Sequence, residues 1–105
     1  MLRSNWEVVV FRLMRPYVGE KDRDFSLSDV TKEWWKLDKG ILALLKLRGH
    51  KNKLKAPEAE IRGTMQRMRD KKWLVFLDRG TYRLTDEGYR ILLTLNSPEE
   101  NHLTE

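Results

Sequence analysis

A mainly α-helical domain with one small β-hairpin is the fold class this sequence predicts, on three observations. Apolar residues recur at helical spacing in several separate stretches. One short apolar run, Trp73-Leu74-Val75-Phe76-Leu77, is followed by Asp78-Arg79-Gly80 and then Thr81-Tyr82-Arg83-Leu84, the pattern of two strands around a glycine turn. The composition, 40% apolar and 35% charged, is that of a globular chain with a highly charged surface.

Each element has its own signal. Ser4-Asn5-Trp6-Glu7 has capping-box spacing, and Trp6, Val9, Val10, Leu13, Met14 and Tyr17 then share one helical face. The first helix is therefore expected to run to about Arg15 and to yield near Pro16 and Gly19. A polar turn follows, then Phe25 in a short extended segment. Ser26 caps a second helix with Asp29 three residues on, and Val30, Trp34 and Leu37 form its buried stripe. The run from Ile41 to Leu47 extends this helix or forms a short one after Gly40.

Pro57 suits the first turn of a third helix, where its missing N–H costs nothing, and Glu58 and Glu60 favour the positive end of the dipole. Ile61, Met65 and Met68 set its buried side. At 100° per residue, Ala59, Gly63, Gln66, Arg67 and Asp70 lie opposite, with Arg62 flanking them. After the hairpin, Thr85 caps a last helix through Leu95. Its Gly88, Ile91, Leu92 and Leu95 side faces the core, since a missing side chain at Gly88 permits close approach. Tyr89 and Leu93 are left as a second apolar surface, to be covered either by a second subunit in a homodimer or by the wing or first helix within the monomer. One domain over residues 1–96 with an acidic flexible tail over 97–105 accounts for the 105 residues.

A core of this size buries about 60 to 65% of the unfolded surface, too little for a deep substrate cavity. The absence of cysteine excludes disulfides, thiolate metal sites and cysteine nucleophiles, and suggests a cytoplasmic protein. Glu7 and Arg12 interrupt the first apolar run, so neither a signal-peptide core nor a membrane span is expected. His50 has neither cysteine nor a neighbouring histidine with which to hold a metal. Asp70 to Lys72 is the one Asp-x-Lys, without a convincing upstream partner, and no phosphate-binding glycine loop occurs. The expectation is a protein that is not an enzyme and carries no cofactor or metal.

Charge placement points to a partner. Between Lys46 and Arg83 stand twelve Lys or Arg against four acids, a local +8, while the rest of the chain carries −3. Such contrast reads as a footprint for a polyanion. Lys46, Arg48, Lys51, Lys53 and Lys55 form a basic loop before the third helix, with Lys51, Lys53 and Lys55 placed for phosphate contact. Three helices, a short strand after the first and a hairpin after the third make a winged helix-turn-helix, whose third helix enters the major groove of duplex DNA. Arg62, Gln66 and Arg67 can donate to base edges or phosphates, and Gly63 lets the backbone approach closely.

Phe25-Ser26-Leu27-Ser28-Asp29-Val30, Glu60-Ile61-Arg62-Gly63-Thr64-Met65-Gln66-Arg67-Met68-Arg69-Asp70-Lys71 and Phe76-Leu77-Asp78-Arg79-Gly80-Thr81-Tyr82-Arg83-Leu84 carry a more specific likeness. They resemble the winged-helix domain at the C-terminus of the methyl-directed restriction endonuclease that cuts adenine-methylated GATC, also described as the helix-turn-helix domain of Dam-replacing proteins. The likeness spans roughly Trp6 to Leu84. It implies duplex-DNA binding sensitive to N6-methyladenine, with Arg62, Gln66 and Arg67 on the helix and Arg79 on the wing. Trp35, Ala59 or the space above Gly63 would then receive the methyl group.

The chain departs from that pattern in three places. No nuclease domain accompanies it, so cleavage does not carry over. The stretch from Val30 to Ile61 is longer than expected. Lys72 stands where related domains often have a helix-ending glycine; a left-handed Lys costs about 1 kcal/mol, so a different helix end is expected. The two readings are a DNA-binding regulator or recognition module, and a winged helix that binds proteins without nucleic acid.

Overall fold

The computed structural model describes residues 5–37, 39, 40, 43, 57–78 and 80–96. Ser4, His50, Lys51, Lys53, Lys55, Arg79 and the tail from Ser97 lie outside the described residues. The order is α1 (Asn5–Leu13), a 3-10 turn (Arg15–Tyr17), β1 (Asp24–Ser26) and α2 (Leu27–Thr31), which runs into a 3-10 helix (Lys32–Lys36). Then come α3 (Pro57–Asp70), β2 (Leu74–Phe76), β3 (Thr81–Leu84) and α4 (Asp86–Leu95). The fold is mainly helical, with a small antiparallel sheet.

α1 is the centre of the core. Its expected apolar face is buried, and so are Val8 and Phe11, because α3 and α4 both pack on it. The helix ends at Leu13, and Pro16 falls inside the 3-10 turn. Trp34 leaves the 3-10 helix to stack on Trp6, with ring centres 6.0 Å apart. Ser26 and Asp29 form the expected reciprocal capping box of α2: Asp29 N–H donates to Ser26 Oγ at 3.1 Å, and Ser26 N–H donates to Asp29 Oδ2 at 2.9 Å. That backbone donor holds the Asp29 carboxyl below its ordinary range.

The short strand expected at Phe25 is present, and it joins the hairpin in one three-stranded sheet of order β1-β3-β2. Asp24 pairs with Arg83, Phe25 with Tyr82 and Ser26 with Thr81. A two-stranded hairpin is marginal in water. Here Phe25 stacks between Tyr17 and Tyr82, at 4.9 and 6.3 Å, and Arg83 Nη2 meets Asp24 Oδ1 at 2.7 Å. These contacts supply the cross-strand pairing that a hairpin lacks. Gly80 has φ +76 in the turn between β2 and β3, where Thr81 N–H donates to Asp78 O at 2.8 Å.

The end of α3 corrects one expectation. Lys72 does adopt the left-handed conformation, with φ 68. Its N–H donates to Arg69 O at 3.0 Å and Trp73 N–H donates to Met68 O at 2.9 Å, the Schellman pattern. The left-handed residue lets the chain reverse directly into β2, and burial of Trp73 beside Met68 offsets the strain.

The last helix corrects another. Gly88, Ile91, Leu92 and Leu95 face the core as expected, and a Cβ on Gly88 would lie 2.0 Å from Trp73 O. Tyr89, however, is not a free surface for a second subunit. It is partly buried against the core, and its hydroxyl accepts from Gly19 N–H at 2.7 Å. Lys21 Nζ meets Asp86 Oδ1 at 2.6 Å beside it, so the turn before β1 is fastened to α4. The expected second apolar surface shrinks to Leu93.

Candidate nucleic-acid interface

The site is built on α3, whose two sides are sharply different. Ile61, Thr64, Met65 and Met68 are buried, which fixes the rotation of the helix against α1. That rotation turns Ala59, Arg62, Gln66, Arg67, Arg69 and Asp70 to the outside. Thr64 extends the buried stripe beyond the three apolar residues read from spacing. The missed signal was its i, i+4 relation to Met68.

Gly63 is half-buried, and the space above it is occupied. The Arg67 guanidinium donates from Nη2 to Thr64 Oγ1 at 2.9 Å, and its Nη1 lies 3.6 Å from where a Gly63 Cβ would stand. Arg67 is thereby laid along the helix over Gly63 while its charge stays exposed.

Six cations of the basic stretch fall within the described residues: Arg62, Arg67, Arg69, Lys71, Lys72 and Arg83. Two are spent on structure. Lys71 binds the buried Glu7, and Arg83 binds Asp24. Arg62, Arg67, Arg69 and Lys72 make no ion pair among the described residues, although the exposed acids Glu58 and Asp70 lie on the same helix. Arg69 was not singled out from the sequence. It sits over the Phe76 ring at 5.8 Å, linking the helix end to β2.

The remaining candidates divide. Trp35 is 88% exposed, and Trp34 takes the buried position of the pair. It shares a shallow cleft of about 400 Å³ with Lys32 and Glu58, at the start of α3 and one residue from Ala59. Val75, Phe76 and Leu77 are exposed on and just beyond the edge strand β2, an apolar row that the strand signal alone did not orient. Among the described residues no cluster of His, Cys, Asp or Glu is placed to hold a metal, and no helix is long and apolar enough to cross a membrane.

No protein-family model, curated protein or solved structure matches the chain.

Proposed function

We propose that the chain is a winged helix-turn-helix that binds duplex DNA, with α3 in the major groove and the β2–β3 hairpin as the wing. The observation that carries this reading is the outer face of α3: Arg62, Gln66, Arg67 and Arg69 are all exposed, and its arginines make no ion pair among the described residues. Glu58 stands four residues before Arg62 and Asp70 three after Arg67, yet neither acid makes an ion pair with them among the described residues. These exposed guanidinium groups, one bonded to Thr64 and one set over Phe76, offer donors to guanine edges and phosphates, and Gln66 offers the donor and acceptor pair that suits adenine. The element order α1, β1, α2, α3, β2, β3 is the one this fold requires, and Lys51, Lys53, Lys55 and Arg79 belong to the same basic stretch of the sequence.

The resemblance to the adenine-methylation-directed family deepens the reading. Trp35, exposed in the cleft it shares with Glu58 at the start of α3, is the apolar surface proposed for a methyl group, and Ala59 follows Glu58 in the helix. Equal affinity for methylated and unmethylated duplexes sharing one preferred site removes that part of the proposal.

The test is a salt titration on duplex DNA. Neutralisation of about four to six phosphates gives a slope of log affinity against log salt of about −4 to −5. Lys53→Ala and Lys55→Ala weaken all sequences alike and flatten the slope. Arg62→Ala and Gln66→Ala instead erode discrimination by about 1 to 3 kcal/mol for a bidentate base contact. A flat response, or no binding at low salt, removes the DNA reading. It would favour a protein-binding winged helix, for which the exposed Val75, Phe76 and Leu77 row is the matching surface.

A further inference from the structure

A second cationic site lies away from α3 and the sheet. A cleft of about 620 Å³ opens between the end of α1 and the 3-10 helix Lys32–Lys36. Among the described residues, Arg12, Arg15 and Lys36 line it with a single acid, Glu33, while Leu13, Pro16 and Leu37 supply apolar wall.

The charges in the cleft do not balance. Glu33 Oε1 lies 3.5 Å from Lys36 Nζ, so that pair offsets itself. Arg12 and Arg15 have no carboxylate partner among the described residues. Arg12 is also half-buried, and its Nε is sealed from solvent without a hydrogen bond. A guanidinium partly stripped of water carries a desolvation cost that an anion at its outer edge offsets, and the attraction is stronger where the surroundings exclude water. With Nε covered, the two terminal nitrogens are the edge that the cleft can use, and they present the fork that matches a carboxylate or a phosphate.

We propose that this cleft binds a small organic anion, its carboxylate or phosphate held by Arg12 and Arg15 and its apolar body laid against Leu13, Pro16 and Leu37. The site shares no residue with the proposed DNA face, so either can fail without the other. The two head groups are separated by the probes used to test it.

The experiment follows the arginine Nε–Hε NMR signals of the full chain during titration with phenyl phosphate, benzoate, inorganic phosphate and acetate at constant ionic strength. Saturable shifts at Arg12 and Arg15 are expected, with phenyl phosphate and benzoate binding more tightly than the anions lacking a ring. The tighter of those two identifies the preferred head group. Arg12→Gln and Arg15→Gln should each weaken binding about tenfold, which corresponds to about 1.4 kcal/mol. Arg15 is exposed, so Arg15→Gln retains the fold and decides the matter where Arg12→Gln does not fold. Shifts spread over all arginines without saturation, or unchanged affinity in Arg15→Gln, would overturn the proposal.

Discussion

Glu7 on α1 accepts from Lys71 Nζ at 2.5 Å, and this pair fastens the end of α3 to the centre of the core. The Glu7 side chain is 1% exposed, whereas Lys71 keeps one side in water and lies 4.8 Å from the centre of the Trp73 ring. The asymmetry dictates what removal of each partner does. Lys71→Met removes this cation from a buried carboxylate and should cost about 2 to 4 kcal/mol, the range for breaking a buried pair less a discount for the exposed lysine. Adding Glu7→Gln should recover part of that loss. Urea unfolding of the two single variants and the double variant measures the coupling; a loss below about 0.5 kcal/mol in Lys71→Met would show that Glu7 does not depend on it.

Lys72, the next residue, is strained for a different reason. Its φ of 68 is a conformation that glycine adopts without penalty and an L side chain does not. Its carbonyl accepts from Thr85 Oγ1 at 2.7 Å, so the reversal is also tied to the cap of α4. These are backbone groups at Lys72 and survive Lys72→Gly. The substitution should stabilise the domain by about 1 kcal/mol, read as a raised urea midpoint with unchanged slope. A lowered midpoint would mean that the lysine side chain contributes more than its backbone costs.

What the sequence made legible was local. Ile61, Met65 and Met68, the Ser26 and Asp29 box, the Thr85 cap and the Gly88 approach all depend on residues a few positions apart. Periodicity and capping chemistry report such relations directly. What it hid depends on distant partners. Tyr89 reads as spare apolar surface until Gly19, 70 positions away, donates to it. β1 is a strand because Asp24 and Phe25 meet Arg83 and Tyr82 in register. The basic stretch is a sum over residues, and a sum does not reveal that Lys71 and Arg83 are held by acids near the other end of the chain. The same holds for Arg12 and Arg15, whose shared cleft arises only when the 3-10 helix Lys32–Lys36 is brought beside α1.

Tyr17 gives the fold a pH dependence on the alkaline side. Burial, followed by the nearby Asp29 charge, raises its hydroxyl from 10.0 to about 12. The native state therefore favours the neutral phenol more than the unfolded chain does. That contribution is complete below pH 10 and is lost as pH rises through about 12. Unfolding free energy measured across this window should decline, and Tyr17→Phe should remove the part of the decline due to this group. An identical profile in the variant would assign the alkaline loss to other groups.

Gly63 separates the demands of folding from those of binding. Among the described residues a Cβ there meets only Arg67 Nη1, at an ordinary 3.6 Å, and the flexible end of an arginine can yield further. Nothing in the packing of α3 therefore requires glycine, although glycine inside a helix costs about 0.5 to 1 kcal/mol relative to alanine. Gly63→Ala should raise stability by about that amount. If α3 lies in the major groove with its backbone close to the DNA at this point, the same methyl group should weaken duplex binding about tenfold, or about 1.4 kcal/mol. The opposed signs make the experiment decisive, because a damaged fold would lower both quantities together. A more stable protein with unchanged DNA affinity would show that the close approach at Gly63 does not occur, and the contacts of the helix would then rest on the reach of Arg62, Gln66 and Arg67.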